Sequence, residues 1–161
     1  MTIAVGERLP EAAFLEFDGE TVAEVTGEAL FPGRKVVVFG LPGAFTRMCS
    51  AAHLPSFLRT AEAFRAKGVE EILCVAVNDP FVMKAWSDAN DAGARGVRLL
   101  SDPEAAFTKA IGLVFDAPAA GLFGRSRRYA MLVEDGVVTV LNVEEGRECT
   151  VSAGEFLLEQ I

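Results

Sequence analysis

Residues 35–67 read KVVVFGLPGAFTRMCSAAHLPSFLRTAEAFRAK, and a change of period inside this stretch decides the fold. Lys35–Phe39 is a continuous β-branched and aromatic run bounded by Gly33 and Gly40, the pattern of a strand buried on both faces. After the loop Leu41–Phe45, apolar residues recur at Leu54, Phe57, Leu58, Ala61 and Phe64, at spacings of three and four. That spacing predicts a helix from about Thr46 to Lys67, which Pro55 should kink or divide because it has no N–H to donate. Strand, loop and helix in this order form half of a parallel crossover unit.

The neighbouring segments repeat the alternation. Ile72–Val77 reads as a second buried strand, closed off from the preceding helix by Gly68. Asp79 and Pro80 supply an N-cap and a first helical position for a helix running to about Asn90. A short strand is expected at Val97–Leu100, then a helix from Pro103 to about Ala110 capped by Ser101 or Asp102. Hairpins are expected at both ends. One is Phe14–Phe17 with Glu20–Val22 around Asp18–Gly19; the other is Tyr129–Val133 with Val137–Leu141 around Asp135–Gly136. The stretch Gly112–Gly124 shows no period and reads as a surface loop, and Phe156–Ile161 belongs to a closing helix. Together these give an α/β protein with a central mixed sheet flanked by helices in three layers, to which an amino-terminal hairpin is added.

Composition narrows the function. The chain has 161 residues, one domain's worth, and is expected to form a single domain over 1–161. Apolar residues make up 51% and charged residues 24%, so a packed core is available and disorder is not expected. The formal charge of −8 argues against nucleic acid or an anionic membrane surface as partner. Three cysteines are too few for a disulfide scaffold, and the amino terminus MTIAVGERLPEAAF lacks a secretory pattern, so a cytoplasmic location is expected. A single histidine and the lack of paired Cys motifs argue against a zinc site, and no cofactor is called for.

Cys49 is the leading candidate for chemistry. In open α/β sheets the ligand crevice lies beyond the carboxyl ends of the strands, and the loop after Gly40 is such a place. With Thr46 as N-cap, Cys49 takes the third helical position, facing unpaired N–H groups and the positive end of the helix dipole. Both favour thiolate over thiol, and Arg47 adds a cation nearby. On position alone, Cys49 reads equally well as a small buried hydrophobe.

The segment PGAFTRMCS alters that balance. Pro42, Thr46 and Cys49 fit the Pro-x-x-x-Thr-x-x-Cys signature of peroxiredoxins, and FGLPGAFTRMCSAAHLPSF resembles their plant type II branch, the fifth subfamily. EILCVAVNDPFVMKAW (71–86) and SRRYAMLVEDGVV (126–138) extend the resemblance over nearly the whole chain. It implies a thioredoxin-like fold and a thiol-dependent peroxidase acting on hydrogen peroxide and alkyl hydroperoxides. By the resemblance Cys49 is the peroxidatic cysteine, Arg128 the active-site arginine and Pro42 the shield of the thiolate. The chemistry agrees with such a set. Thiolate attack on a peroxide oxygen moves negative charge onto the leaving oxygen, so donors aimed there are needed: the Arg128 guanidinium and the Cys49 N–H, while the Thr46 hydroxyl can accept from the peroxide O–H or donate to it. Without the resemblance, Arg128 would read as a surface strand arginine and Thr46 as a plain cap.

The resemblance also implies a sulfenic acid on Cys49, regenerated by glutathione with glutaredoxin or by thioredoxin, an antioxidant role and a homodimer. Three routes of regeneration stay open. Cys74, twenty-five positions after Cys49, stands where plant type II enzymes carry a second cysteine, but its strand is an interior one. Cys149 lies in a polar stretch where animal members carry a resolving cysteine, and an external thiol is the third route. Phe45 and Phe123, with Phe115 and Leu122, read as an apolar collar of the substrate pocket or as core or dimer seam. His53, one helical turn after Cys49, reads as a pocket-side or hydrogen-bonding residue rather than a base. Glu70–Glu71 and Glu144–Glu145 read as solvated turns. Arg47 and Met48 depart from the branch, which usually has Pro and a small residue there. A disulfide oxidoreductase would need Cys-x-x-Cys, and Ala52 occupies the fourth position; the remaining alternative is a non-enzymatic thioredoxin-fold binding or holdase module.

Overall fold

The central strand is β3 (Lys35–Leu41), and its alternating side chains divide the core in two. Val37, Phe39 and Leu41 face one side; Val36 and Val38 face the other. The computed structural model describes residues 1–146 and 148–161, with Cys49 described by its backbone only.

Around β3 the chain builds a seven-stranded sheet in the order β2-β1-β5-β4-β3-β8-β9. Its parallel centre is β3, β4 (Glu71–Ala76) and β5 (Arg98–Ser101), registered as Val37 on Ile72 and Leu73 on Arg98. The two hairpins flank it antiparallel: β1 (Ala13–Phe17) with β2 (Val22–Thr26), and β8 (Tyr129–Glu134) with β9 (Val137–Val143). Helices α2 (Leu54–Ala66), α3 (Pro80–Asn90) and α5 (Gly154–Glu159) cover the Phe39 face. Short helices α1 (Gly27–Leu30) and α4 (Ala106–Ala110) contribute Leu30 and Phe107 to the other. A mixed sheet with both faces buried is the expected architecture.

Several boundaries differ from the expectation, each for a physical reason. The first hairpin turns through four residues rather than two, because Phe17 pairs with Val22 and the Asp18 carboxylate accepts from the N–H of both Glu20 and Thr21. Gly112–Gly124 is not a loop throughout. It contains β6 (Val114–Ala117) and begins β7 (Leu122–Ser126), a small separate hairpin joined by a 3₁₀ turn at Pro118–Ala120. Helix α4 starts at Ala106 rather than Pro103, since Ala105 takes a left-handed φ of 58°; the Asp102 carboxylate then reaches past it to accept from the N–H of Phe107 and Thr108. The long helix is divided, as Pro55 foretold. Cys49–His53 forms a π-helical turn, and Pro55 sits in the first turn of α2, where its missing N–H is tolerated.

Gly40 shows how tightly the sheet is packed at its working end. It pairs with Tyr129 across β3 and β8, and any Cβ added there would overlap the Tyr129 ring.

Candidate active site

The loop leaving β3 is clasped from two sides. Asn78, just beyond β4, accepts through Oδ1 from the Ala44 N–H at 2.9 Å; Arg125 of β7 donates through Nη1 to the Pro42 carbonyl at 3.0 Å. Gly43 lets Arg125 approach, since a Cβ there would lie 2.5 Å from Nη1. Asn78 is fixed in turn by the Ser101 hydroxyl, which donates to its carbonyl. Phe45 turns the chain with a positive φ of 64°, a strained conformation for an aromatic residue and one found where surrounding contacts over-determine the backbone. The Thr46 hydroxyl donates to the Gly43 carbonyl at 2.7 Å, so it pins the loop and leaves its oxygen lone pairs as acceptors.

Beyond Thr46 one helical turn leads into the π turn, with the Ser50 N–H donating to the Thr46 carbonyl at 2.9 Å. The Cys49 side chain lies outside the described residues; its backbone opens the π turn that follows the loop leaving β3.

His53 closes that turn and is fully buried, against Phe39 and Phe57 at ring-centre distances of 5.1 and 5.7 Å. It therefore lies beneath the site rather than on an exposed pocket wall. Its Nε2 is 3.0 Å from the Ser152 carbonyl, and its Nδ1 is 3.3 Å from Arg128 Nη1. A carbonyl can only accept and a guanidinium can only donate, which sets the tautomer: Nε2 carries the proton and Nδ1 accepts from Arg128. Burial, and secondly the Arg128 charge, push the His53 pKa down to about 3, so the ring is neutral at physiological pH.

Arg128 sits between β7 and β8 and is only 6% exposed. The Glu144 N–H donates to its carbonyl at 2.9 Å, and Arg127 holds the same junction by donating to the Glu144 carbonyl at 2.9 Å. Glu144 corrects the expectation of a solvated turn. It is 3% exposed, and although burial raises its pKa, hydrogen bonds from Ser152 and Thr150 outweigh that and hold it below the usual carboxylate range.

The other candidates are spread around this centre. Cys74 is buried in β4, registered with Phe39 on one side and Leu99 on the other. Cys149 is half-buried between β9 and α5, its sulfur 4.0 Å from the Ser152 hydroxyl. Phe45 and Phe123 are 56% and 65% exposed, while Phe115 and Leu122 are half-buried in the β6–β7 hairpin. Arg47 and Met48 are exposed at the helix start. Asn78, Arg125 and Ser152 escaped the sequence reading because their partners Ala44, Pro42 and His53 are distant in the chain, and Glu144 because it reaches the site only through Ser152.

The arrangement sets a buried guanidinium, hydrogen-bonded to a neutral imidazole, against the π turn that Cys49 opens and His53 closes. Such a site suits attack by sulfur on an acceptor that becomes negatively charged. Comparison with known proteins agrees. The Redoxin family model matches residues 4–157. Peroxiredoxin-2C of Oryza sativa subsp. japonica is 46% identical over 160 residues, covering 99% of this chain and 98% of that protein. Peroxiredoxin-2B of Arabidopsis thaliana is 42% identical with the same coverage. The crystal structure of reduced Prx3 from Vibrio vulnificus in complex with hydrogen peroxide superposes with a TM-score of 0.92 at 45% identity, covering 99% of this chain and 96% of that one. The chain belongs to the redoxin family and, within it, to the peroxiredoxins: it is a thiol-dependent peroxidase with a thioredoxin-like fold.

Proposed function

We propose that Cys49 is the peroxidatic residue and that Arg128, Thr46 and the Pro42 loop form the pocket that receives the peroxide. The observation that carries this reading is the buried Arg128 guanidinium, oriented by neutral His53 from the turn that Cys49 opens. The Cys49 thiolate attacks one peroxide oxygen in line with the O–O bond. The S–O bond forms as O–O breaks, sulfur is oxidised to sulfenic acid, and the second oxygen leaves as hydroxide or alkoxide and takes a proton from solvent. Arg128 supplies a permanent charge and fixed N–H donors for that oxygen. Thr46, with its proton committed to Gly43, accepts from the peroxide O–H. Pro42 shields the thiolate from water, and Phe45 and Phe123 present apolar surface at the rim for an alkyl group.

Regeneration consumes two thiols: the first displaces water from the sulfenic acid to give a mixed disulfide, and the second releases Cys49. Exposed Arg47 at the helix start favours an anionic donor, so glutathione with glutaredoxin is the reductant of choice, with thioredoxin as the alternative. Burial of Cys74 argues for an external thiol over a Cys49–Cys74 bridge, which would require partial unwinding near Cys49. The exposed apolar side chains Phe45, Met48 and Phe123 support a homodimer contact next to the site, and a cytoplasmic location fits the composition. The test is mass spectrometry after one equivalent of hydrogen peroxide, with a sulfenic-acid trap present. The adduct is expected on Cys49; an adduct on Cys74 or Cys149 instead would overturn the assignment.

A further inference from the structure

A carboxylate three hydrogen bonds away from the Arg128 guanidinium closes a circuit around it. Glu144 Oε2 accepts from the Thr150 N–H at 2.7 Å, the Ser152 N–H at 2.8 Å and the Ser152 hydroxyl at 2.6 Å; Oε1 accepts from the Thr150 hydroxyl at 3.3 Å. Thr150 and Ser152 are thereby drawn back onto Glu144. The Ser152 carbonyl then accepts from His53 Nε2, and His53 Nδ1 accepts from Arg128. The circuit returns through the backbone, where the Glu144 N–H donates to the Arg128 carbonyl. The far end is tied down as well, since the Gly154 N–H donates to the Ser56 hydroxyl, which itself donates to the His53 carbonyl.

A buried carboxylate is costly unless its oxygens are fully engaged, and here four donors engage them. A plain loop between β9 and α5 needs no buried charge. What this one does is fix the Ser152 carbonyl against the imidazole of the residue that orients the guanidinium.

We propose that Glu144 is a positioning residue for the peroxidase reaction, holding the Ser152 carbonyl against His53 and so setting the aim of the Arg128 guanidinium at the peroxide. Its role depends on Arg128 being the donor to peroxide, as in the reading above. Misplacing a catalytic group by about 1 Å can cost on the order of 100-fold. Glu144→Ala should therefore lower the second-order rate with hydrogen peroxide by about 10- to 100-fold. Alkylation of Cys49 by neutral iodoacetamide, which reports the thiolate and needs no aimed donor, should change little. Glu144→Gln can place its carbonyl oxygen where Oε2 stands and should recover most of the rate. The imidazole nitrogen spectrum supplies a second readout: a single Nε2–H tautomer in the wild type and in Glu144→Gln, a mixture in Glu144→Ala.

Equal peroxide rates in Glu144→Ala and wild type would overturn the proposal. So would a parallel fall of peroxide and alkylation rates, or a Gln variant no better than Ala. If Glu144→Ala does not fold, Glu144→Asp, which keeps the charge and retracts the oxygens by one methylene, takes its place under the same criteria. Cys49→Ser and Arg128→Ala, assayed alongside, separate the two levels. If both lose the reaction while Glu144→Ala keeps it, only the role of Glu144 fails; if Cys49→Ser keeps it, the assignment of Cys49 fails first.

Discussion

Acidification isolates the contribution of His53, the only histidine in the chain. In the native protein its pKa is pushed down to about 3 from 6.5, first by burial and then by Arg128. The unfolded chain binds a proton there as the pH drops through 6.5, while the native ring stays neutral, so stability falls below that pH and levels off near 3. At about 1.36 kcal/mol per pKa unit, the loss between about pH 7.5 and pH 5 is about 2 kcal/mol. Glu144 acts in the same direction but lower. Its depressed carboxyl adds stability above the ordinary carboxylate pKa, and that stability is lost only as pH falls through the folded value. Urea unfolding of wild type and His53→Gln at the two pH values gives the difference directly: the wild type should lose about 2 kcal/mol more than the variant. Imidazole nitrogen spectra of the folded protein should show no protonation across this range. A ring titrating near its unperturbed value, or the same pH dependence in both proteins, would refute the buried neutral imidazole and with it the fixed tautomer that orients Arg128.

Other outcomes follow from contacts elsewhere. Gly40→Ala drives a methyl into the Tyr129 ring and should cost about 1–3 kcal/mol, read as a lower thermal midpoint. Phe57, fully buried and stacked on Phe39 at 4.0 Å, should cost about 3–5 kcal/mol on conversion to Ala by denaturant titration. Arg125→Ala releases the Pro42 carbonyl and should slow peroxide reduction about tenfold with little change in stability, since the effect is on the placement of the loop. Cys74→Ser should leave the peroxide step intact, as stopped-flow mixing with the reduced variant can check; a loss comparable to that of Cys49→Ser would place Cys74 in the reaction.

The sheet centre was legible because β3 and β4 are buried on both faces, and their unbroken apolar runs announce it. Asp79 and Pro80 marked α3 correctly, the Asp79 carboxylate accepting from the Val82 N–H at 2.8 Å. Asp135 and Gly136 marked the last hairpin, with positive φ at both. The β6–β7 hairpin was not legible, since its strands are short, half-exposed and interrupted by a bulge, and leave no alternation to read. Thr46 and Cys49 stood out through local pattern, and Arg128 only through family resemblance. The supports of Arg128 could not stand out in the same way. Glu144 and Ser152 act on His53 from ninety or more positions away, and a glutamate beside another glutamate in a turn looks like any solvated pair. The π turn was hidden too, although Pro55 gave the break that goes with it.

The most direct measurement is stopped-flow mixing of the fully reduced protein with hydrogen peroxide, alongside Cys49→Ser and Arg128→Ala. The wild type should react fast and consume one equivalent of peroxide per chain, the serine variant should not react, and the alanine variant should lose at least about 100-fold. A serine variant that reduces peroxide at the wild-type rate would contradict the assignment of Cys49.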